Sequence, residues 1–233
     1  MESWLEWARG PAFVFSFVFL LLGLLRHVAL TAWEVIHVWR RAGDKKLPLG
    51  KLLRTTFLWL LPVTHLRNRL WFGLTSFVFH IAILVVPVFL AGHVALWARG
   101  LGLSWPAVPN AVADVLTIVA VSTAVLLLAQ RLFSRATRRL SRFQDYALPP
   151  LIAVPFATGF LMMHPALNPF DYQATFLVHV MSANLIFVLT PLTKLSHMVL
   201  MPSTQLVAEL AWHWPVDSGS AVARALGKEG EPV

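Results

Sequence analysis

The chain contains no cysteine. That excludes disulfides, and it excludes ligation of an iron–sulfur cluster by this chain, so any such cluster belongs to a partner. Charge is also scarce. Charged residues make up 13% of the sequence, against about 25% in an ordinary soluble domain. There is no internal repeat and no low-complexity segment. No small-residue cleavage site follows the first apolar run, and Glu2 and Glu6 outweigh Arg9 before it. A retained first helix is therefore expected rather than a cleaved leader.

What the chain has in abundance is apolar surface: 58% of its 233 residues are hydrophobic, and its mean hydropathy is +0.69. The pattern predicts an all-α bundle of five membrane-spanning helices, each long enough to cross a hydrocarbon core about 30 Å thick. The spans run from about Pro11 to Trp39, Trp71 to Ala98, Asn110 to Phe133, Tyr146 to Met163 and Tyr172 to Met201. The expected organisation is a membrane domain over 1–202 and a cytoplasmic tail over 203–233, the tail able to add a short helix against a cytoplasmic neighbour.

The cations are unevenly placed. Arg40, Arg41, Lys45, Lys46, Lys51, Arg54, Arg67 and Arg69 follow the first span, and Arg135, Arg138, Arg139 and Arg142 follow the third. The connection over 99–109 holds Arg99 alone, and 164–171 holds no Lys or Arg. The positive-inside rule then predicts a multi-pass protein with its N-terminus outside and its C-terminus in the cytoplasm. The net charge of +8 is thus a topology signal, and no nucleic-acid partner is expected.

Histidines supply the chemistry. His179 and His197 lie 18 residues apart in one apolar run. On a single helix that is about five turns and roughly 27 Å of rise, with both imidazoles on one face. His80 and His93 lie on the second span. Antiparallel helices match His80 with His197 toward the inside and His93 with His179 toward the outside. Two depth-matched pairs are the arrangement expected of two b-type haems, each held through neutral imidazole nitrogens. The 13-residue step from His80 to His93 turns an ideal helix to directions some 140° apart. Pro87 between them can kink or rewind it.

Other polar residues at depth are candidates for cofactor contact. Lys194 precedes His197 by about one turn and is a candidate for a haem propionate, or a lysine snorkelling to the interface. Arg26 is a second propionate candidate, or a partner for Glu34. His164 and Asn184 are quinone-site candidates, set against surface exposure for His164 and bonding between helices for Asn184. His27 and His37 lack depth-matched partners on a second helix. His65 reads as interfacial, and Trp212, His213 and Trp214 as amphipathic tail residues.

The segment 191-PLTKLSHMVLMP-202, with a histidine 18 residues upstream, resembles the last helix of the respiratory nitrate reductase gamma subunit family. The Phe79–His80 and Gly92–His93 pairs resemble that family's second helix, and the five spans match its count. The stretch 159-GFLMMHPALNPFDY-172 looks more like the cytochrome b relatives of heterodisulfide-reductase-like and sulfur-metabolising complexes. The resemblance covers roughly residues 12–202. It implies haem ligation by His80, His93, His179 and His197, a quinol site beside the outer haem, and a bacterial or archaeal cytoplasmic (inner) membrane. It also implies inner-side docking onto an iron–sulfur subunit of a complex whose catalytic subunit lies elsewhere.

The expected function is an electron-transfer subunit exchanging electrons between menaquinone or ubiquinone and a partner redox subunit, itself not the terminal catalytic subunit. Two other classes compete with it. A non-redox anchor recruiting a soluble enzyme needs no depth-matched histidines. A histidine-relay transporter commonly shows repeats or broken helices.

Overall fold

The computed structural model describes residues 1–41, 49–60, 70–211 and 218–230. Of the described residues 88% are helical, and no strand occurs among them. Lys45, Lys46, His65, Arg67, Arg69, Trp212, His213 and Trp214 lie outside the described residues.

The first helical stretch comprises α1 (Glu2–Trp7), a π-helical turn at Ala8–Ala12 and α2 (Phe13–Arg41). α3 (Leu49–Leu60) follows, then α4 (Leu70–Phe89), α5 (Ala91–Leu101), α6 (Asn110–Phe133), α7 (Arg135–Leu140) and α8 (Phe143–Met163). The chain continues with α9 (Tyr172–Leu189), α10 (His197–Ala211) and α11 (Ser218–Ala225). Among the described residues five stretches are long and apolar enough to cross a membrane: Glu2–His37, Leu70–Phe89, Asn110–Phe133, Phe143–Met163 and Tyr172–Leu192. The five-span expectation holds, the third span has the expected bounds, and the protein is multi-pass by length and composition of its helices.

The chain forms two compact units, Met1–Phe19 with Pro62–Thr193, and Leu20–Leu61 with Lys194–Val233. These divisions differ from the boundary drawn at residue 202. In the first unit α4 packs on α6, α6 on α8, and α8 on α9. Small residues set the spacing. Ala82 and Val86 of α4 meet Ala120 of α6 and Phe156 of α8, while Phe79 packs with Ala124 and Leu127. With no hydrophobic drive between helices in lipid, such close backbone approach supplies the association. The outward faces stay apolar: Leu84, Val115, Ile118 and Val125 are all exposed, as a lipid-facing surface requires. In the second unit α10 packs along α3.

The polar ends are stitched locally. Asp171 caps α9 by accepting from the Ala174 amide at 2.9 Å, and Asp145 accepts from the Arg142 amide at the start of α8. Arg131, at the end of α6, reaches Ser141 Oγ at 3.2 Å and Asp145 at 3.7 Å.

Two expectations need correction. The run from Tyr172 to Met201 is not one helix. α9 ends at Leu189, short 3₁₀ turns cover Thr190–Leu192 and Lys194–Ser196, and Thr193 between them is extended (φ −126°, ψ −174°). Pro191, which has no amide hydrogen to donate, sits in the first of these turns. The five-turn registration of His179 with His197 therefore does not apply. The second span is also broken, at Leu90 (φ −66°, ψ 131°), three residues beyond Pro87. His80 sits on α4 and His93 on α5.

Candidate functional site

His93 and His179 come together in the first unit. Their ring centroids are 6.2 Å apart, with planes inclined by 23°. Each ring is held from behind. His179 Nδ1 donates to the Pro155 carbonyl of α8 at 2.8 Å, with Thr158 Oγ1 at 3.4 Å. His93 Nδ1 donates to the Pro87 carbonyl at 3.0 Å. A carbonyl only accepts, so in the neutral imidazoles Nδ1 carries the proton and Nε2 keeps its lone pair.

The other two predicted ligands share this tautomer. His80 Nδ1 lies 2.6 Å from the Ser76 carbonyl on α4, and His197 Nδ1 lies 2.7 Å from the Lys194 carbonyl. His80 is half-buried in the first unit, whereas His197 is exposed in the second. In all four imidazoles Nδ1 thus faces a backbone carbonyl, an acceptor of the kind that metal-bound histidines usually have.

The break at Leu90 makes the His93 arrangement possible. It leaves the carbonyls of Pro87, Val88 and Phe89 without the usual helical donor four residues on. His93 Nδ1 takes the first, Trp105 Nε1 the second at 2.9 Å, and the Val108 amide the third at 2.9 Å. Each of the three carbonyls freed by the break, which lipid would penalise if unpaired, thus has a donor.

α8 shapes the opposite side. A β-carbon at Gly159 would stand 3.1 Å from His179 Cε1 and 3.3 Å from Nδ1, so glycine lets the imidazole lie against the helix. Five residues further along α8, about 7.5 Å of rise, His164 Nε2 lies 3.1 Å from Asp114 Oδ1 of α6, with the Phe160 ring 4.4 Å from the imidazole. The two atoms are within ion-pair distance, the imidazole being charged only when protonated, and they do not meet hydrogen-bond geometry. His164 is half-buried rather than surface-exposed.

Asn184 is buried and engaged within the bundle. Its Nδ2 donates to the Ala8 carbonyl at 2.9 Å, and its Oδ1 lies 3.1 Å from Ser16 Oγ. It bonds across helices, the commoner of the two roles considered for it. Arg26 is exposed on α2, as is Glu34, and Lys194 is exposed in the second unit. Lys194 contributes its backbone carbonyl to His197.

The residues that sequence reasoning did not reach are Pro155, Gly159, Asp114 and Trp105. A proline and a glycine inside an apolar span were the visible signal for the first two. No spacing rule connects Gly159 to His179 or Asp114 to His164.

No protein-family model matches the chain, and no solved structure matches it. The chain is 37% identical over 144 residues to a Nitratidesulfovibrio vulgaris protein named "Protein". The match covers 61% of this chain and 62% of the relative, so the chain spans about three fifths of that protein's length.

Proposed function

We propose that the chain is the membrane cytochrome b subunit of a respiratory oxidoreductase complex, linking the quinone pool to a partner redox subunit. The observation that carries this reading is the His93–His179 pair. An imidazole nitrogen sits about 2 Å from the metal it binds and about 1.2 Å from its ring centre, so two imidazoles on opposite faces of one iron have centroids roughly 6 Å apart. The pair stands at 6.2 Å, with both Nδ1 atoms committed to carbonyls and a glycine cradle behind His179. These residues fit a bis-histidine haem.

Haem, when bound, supplies reversible one-electron exchange. His93 and His179 would hold the outer haem, and the tautomer set by Pro87 and Pro155 makes each a ready Nε2 donor. With two histidines of the chain holding it, the haem would serve electron transfer rather than oxygen chemistry. A second haem on His80 and His197 is what the family resemblance implies, and each of these imidazoles has its Nδ1 bonded to a backbone carbonyl. Arg26 and Lys194 are propionate partners in this reading. His164 takes a quinol proton on the cation-poor side, with Asp114 stabilising the resulting imidazolium.

The remaining features follow from charge and resemblance. Cations gather beyond α6 at Arg135, Arg138, Arg139 and Arg142, so this end faces the cytoplasm of a bacterial or archaeal inner membrane, toward an iron–sulfur partner. The likeness to the nitrate reductase gamma subunit family, carried by 191-PLTKLSHMVLMP-202, supports the same assignment. A pyridine haemochrome assay on the purified protein should give two b-type haems per chain. A value of zero overturns the cytochrome reading, and a value of one removes the His80–His197 pair.

A further inference from the structure

We infer that Trp105 is a positioning residue for His93, holding open the helix break that aims this imidazole at His179. The inference rests on the haem reading for its consequence, though its geometry stands apart from it. At Leu90 the backbone turns extended, and the carbonyls of residues 87–89 leave the helical ladder. In lipid an unpaired carbonyl carries a penalty of several kcal/mol, so the break persists only while each carbonyl has another donor.

Among the described residues, Trp105 supplies a side-chain donor from outside the two helices for this purpose. Gly102, in the left-handed region at φ 69°, ends α5 and turns the chain back. The return segment then brings Trp105 Nε1 to the Val88 carbonyl and the Val108 amide to the Phe89 carbonyl. Trp105 is itself seated against Trp97, ring centroids 6.1 Å apart, and Trp97 against Phe17 at 5.5 Å.

Removing the indole N–H leaves the Val88 carbonyl with a nearby alternative, the Gly92 amide in a continuous helix. Rewinding would give the Pro87 carbonyl to Ala91 and withdraw it from His93 Nδ1. It would also return His93 toward the regular helical direction, some 140° from that of His80. The indole thus acts on the ligand at one remove, through Val88 and the neighbouring Pro87.

The test compares Trp105→Phe, Trp105→His and Trp97→Phe in the full, haem-loaded chain. Trp105→Phe should change the low-spin electron paramagnetic resonance signal of one haem and leave the other unaltered. Because a carbonyl acceptor raises imidazole basicity, its loss should favour the reduced haem, shifting that haem's reduction equilibrium about threefold or more. Trp105→His, which keeps an N–H, should restore both properties, and Trp97→Phe should leave them unchanged. An unaltered signal and potential in Trp105→Phe overturns the inference, as does an equal disturbance in Trp97→Phe. A haem-independent measurement separates this outcome from failure of the haem reading. Since the chain has no cysteine of its own, the His93→Cys/His179→Cys chain can be cross-linked with a short bis-maleimide. Adding Trp105→Phe should slow cross-linking roughly tenfold, and an unchanged rate also overturns the inference.

Discussion

Gly159 of α8 faces the His179 imidazole of α9 so closely that a side chain at 159 would crowd the ring. A β-carbon there would stand 3.1 Å from Cε1 and 3.3 Å from Nδ1. Both distances are tighter than ordinary carbon contacts. Gly159→Ala gains about 1 kcal/mol of helix propensity and pushes on the imidazole that is bonded to the Pro155 carbonyl. The variant should therefore fold with undiminished thermal stability yet lose or shift one haem, read by redox titration. Retention of both haems at unchanged potentials would show that the ring has room to yield.

Ligand deletion assigns the haems. His93→Ala and His179→Ala should each remove the same spectroscopic component, and His80→Ala and His197→Ala the other. If His93→Ala and His179→Ala remove different components, the 6.2 Å pair is not an axial pair.

The membrane architecture was legible in the sequence because it follows from hydropathy and length. The third span was placed residue for residue, and the fourth began only three residues earlier than expected. What escaped was local. Continuous apolar runs carry no signal for where a helix interrupts itself, and the break at Leu90 falls on a residue with no breaking tendency. Pro87 pointed to the neighbourhood and not the position. In the last span Pro191 was read as part of a ligand motif when it also marked the end of α9. The His93–His179 pairing was found by depth matching, while the step from His179 to His197 assumed a regular helix that the chain does not form.

Asn184 should matter for stability. Asn184→Leu keeps the volume but removes the bond to the Ala8 carbonyl and the acceptor for Ser16. The expected loss is about 1–3 kcal/mol, seen as a lower unfolding midpoint in detergent with the haem spectrum retained. Weaker quinol-dependent haem reduction without any loss of stability would instead return Asn184 to the quinone site.

His164→Gln and Asp114→Asn should each slow quinol-dependent haem reduction by roughly 10²-fold, the usual size of a lost acid–base group. Reduction by dithionite should be unaffected in both. Since the two side chains are 3.1 Å apart, the double variant should be little slower than either single one. Additive losses, or equal slowing with dithionite, would argue against a shared proton-accepting role.

The link from Ala8 and Ser16 to Asn184 bears on how the protein is made. Ser16 and Asn184 are 168 residues apart, so the first segment is synthesised and delivered to the bilayer long before its partner exists. Until α9 emerges from the ribosome, the Ala8 carbonyl lacks its Asn184 donor. The nascent N-terminal helix is thus an unfinished surface that assembly completes late. A chain stalled short of residue 184 would keep that surface exposed within the bilayer, where proteases that survey membrane proteins could recognise it as incomplete.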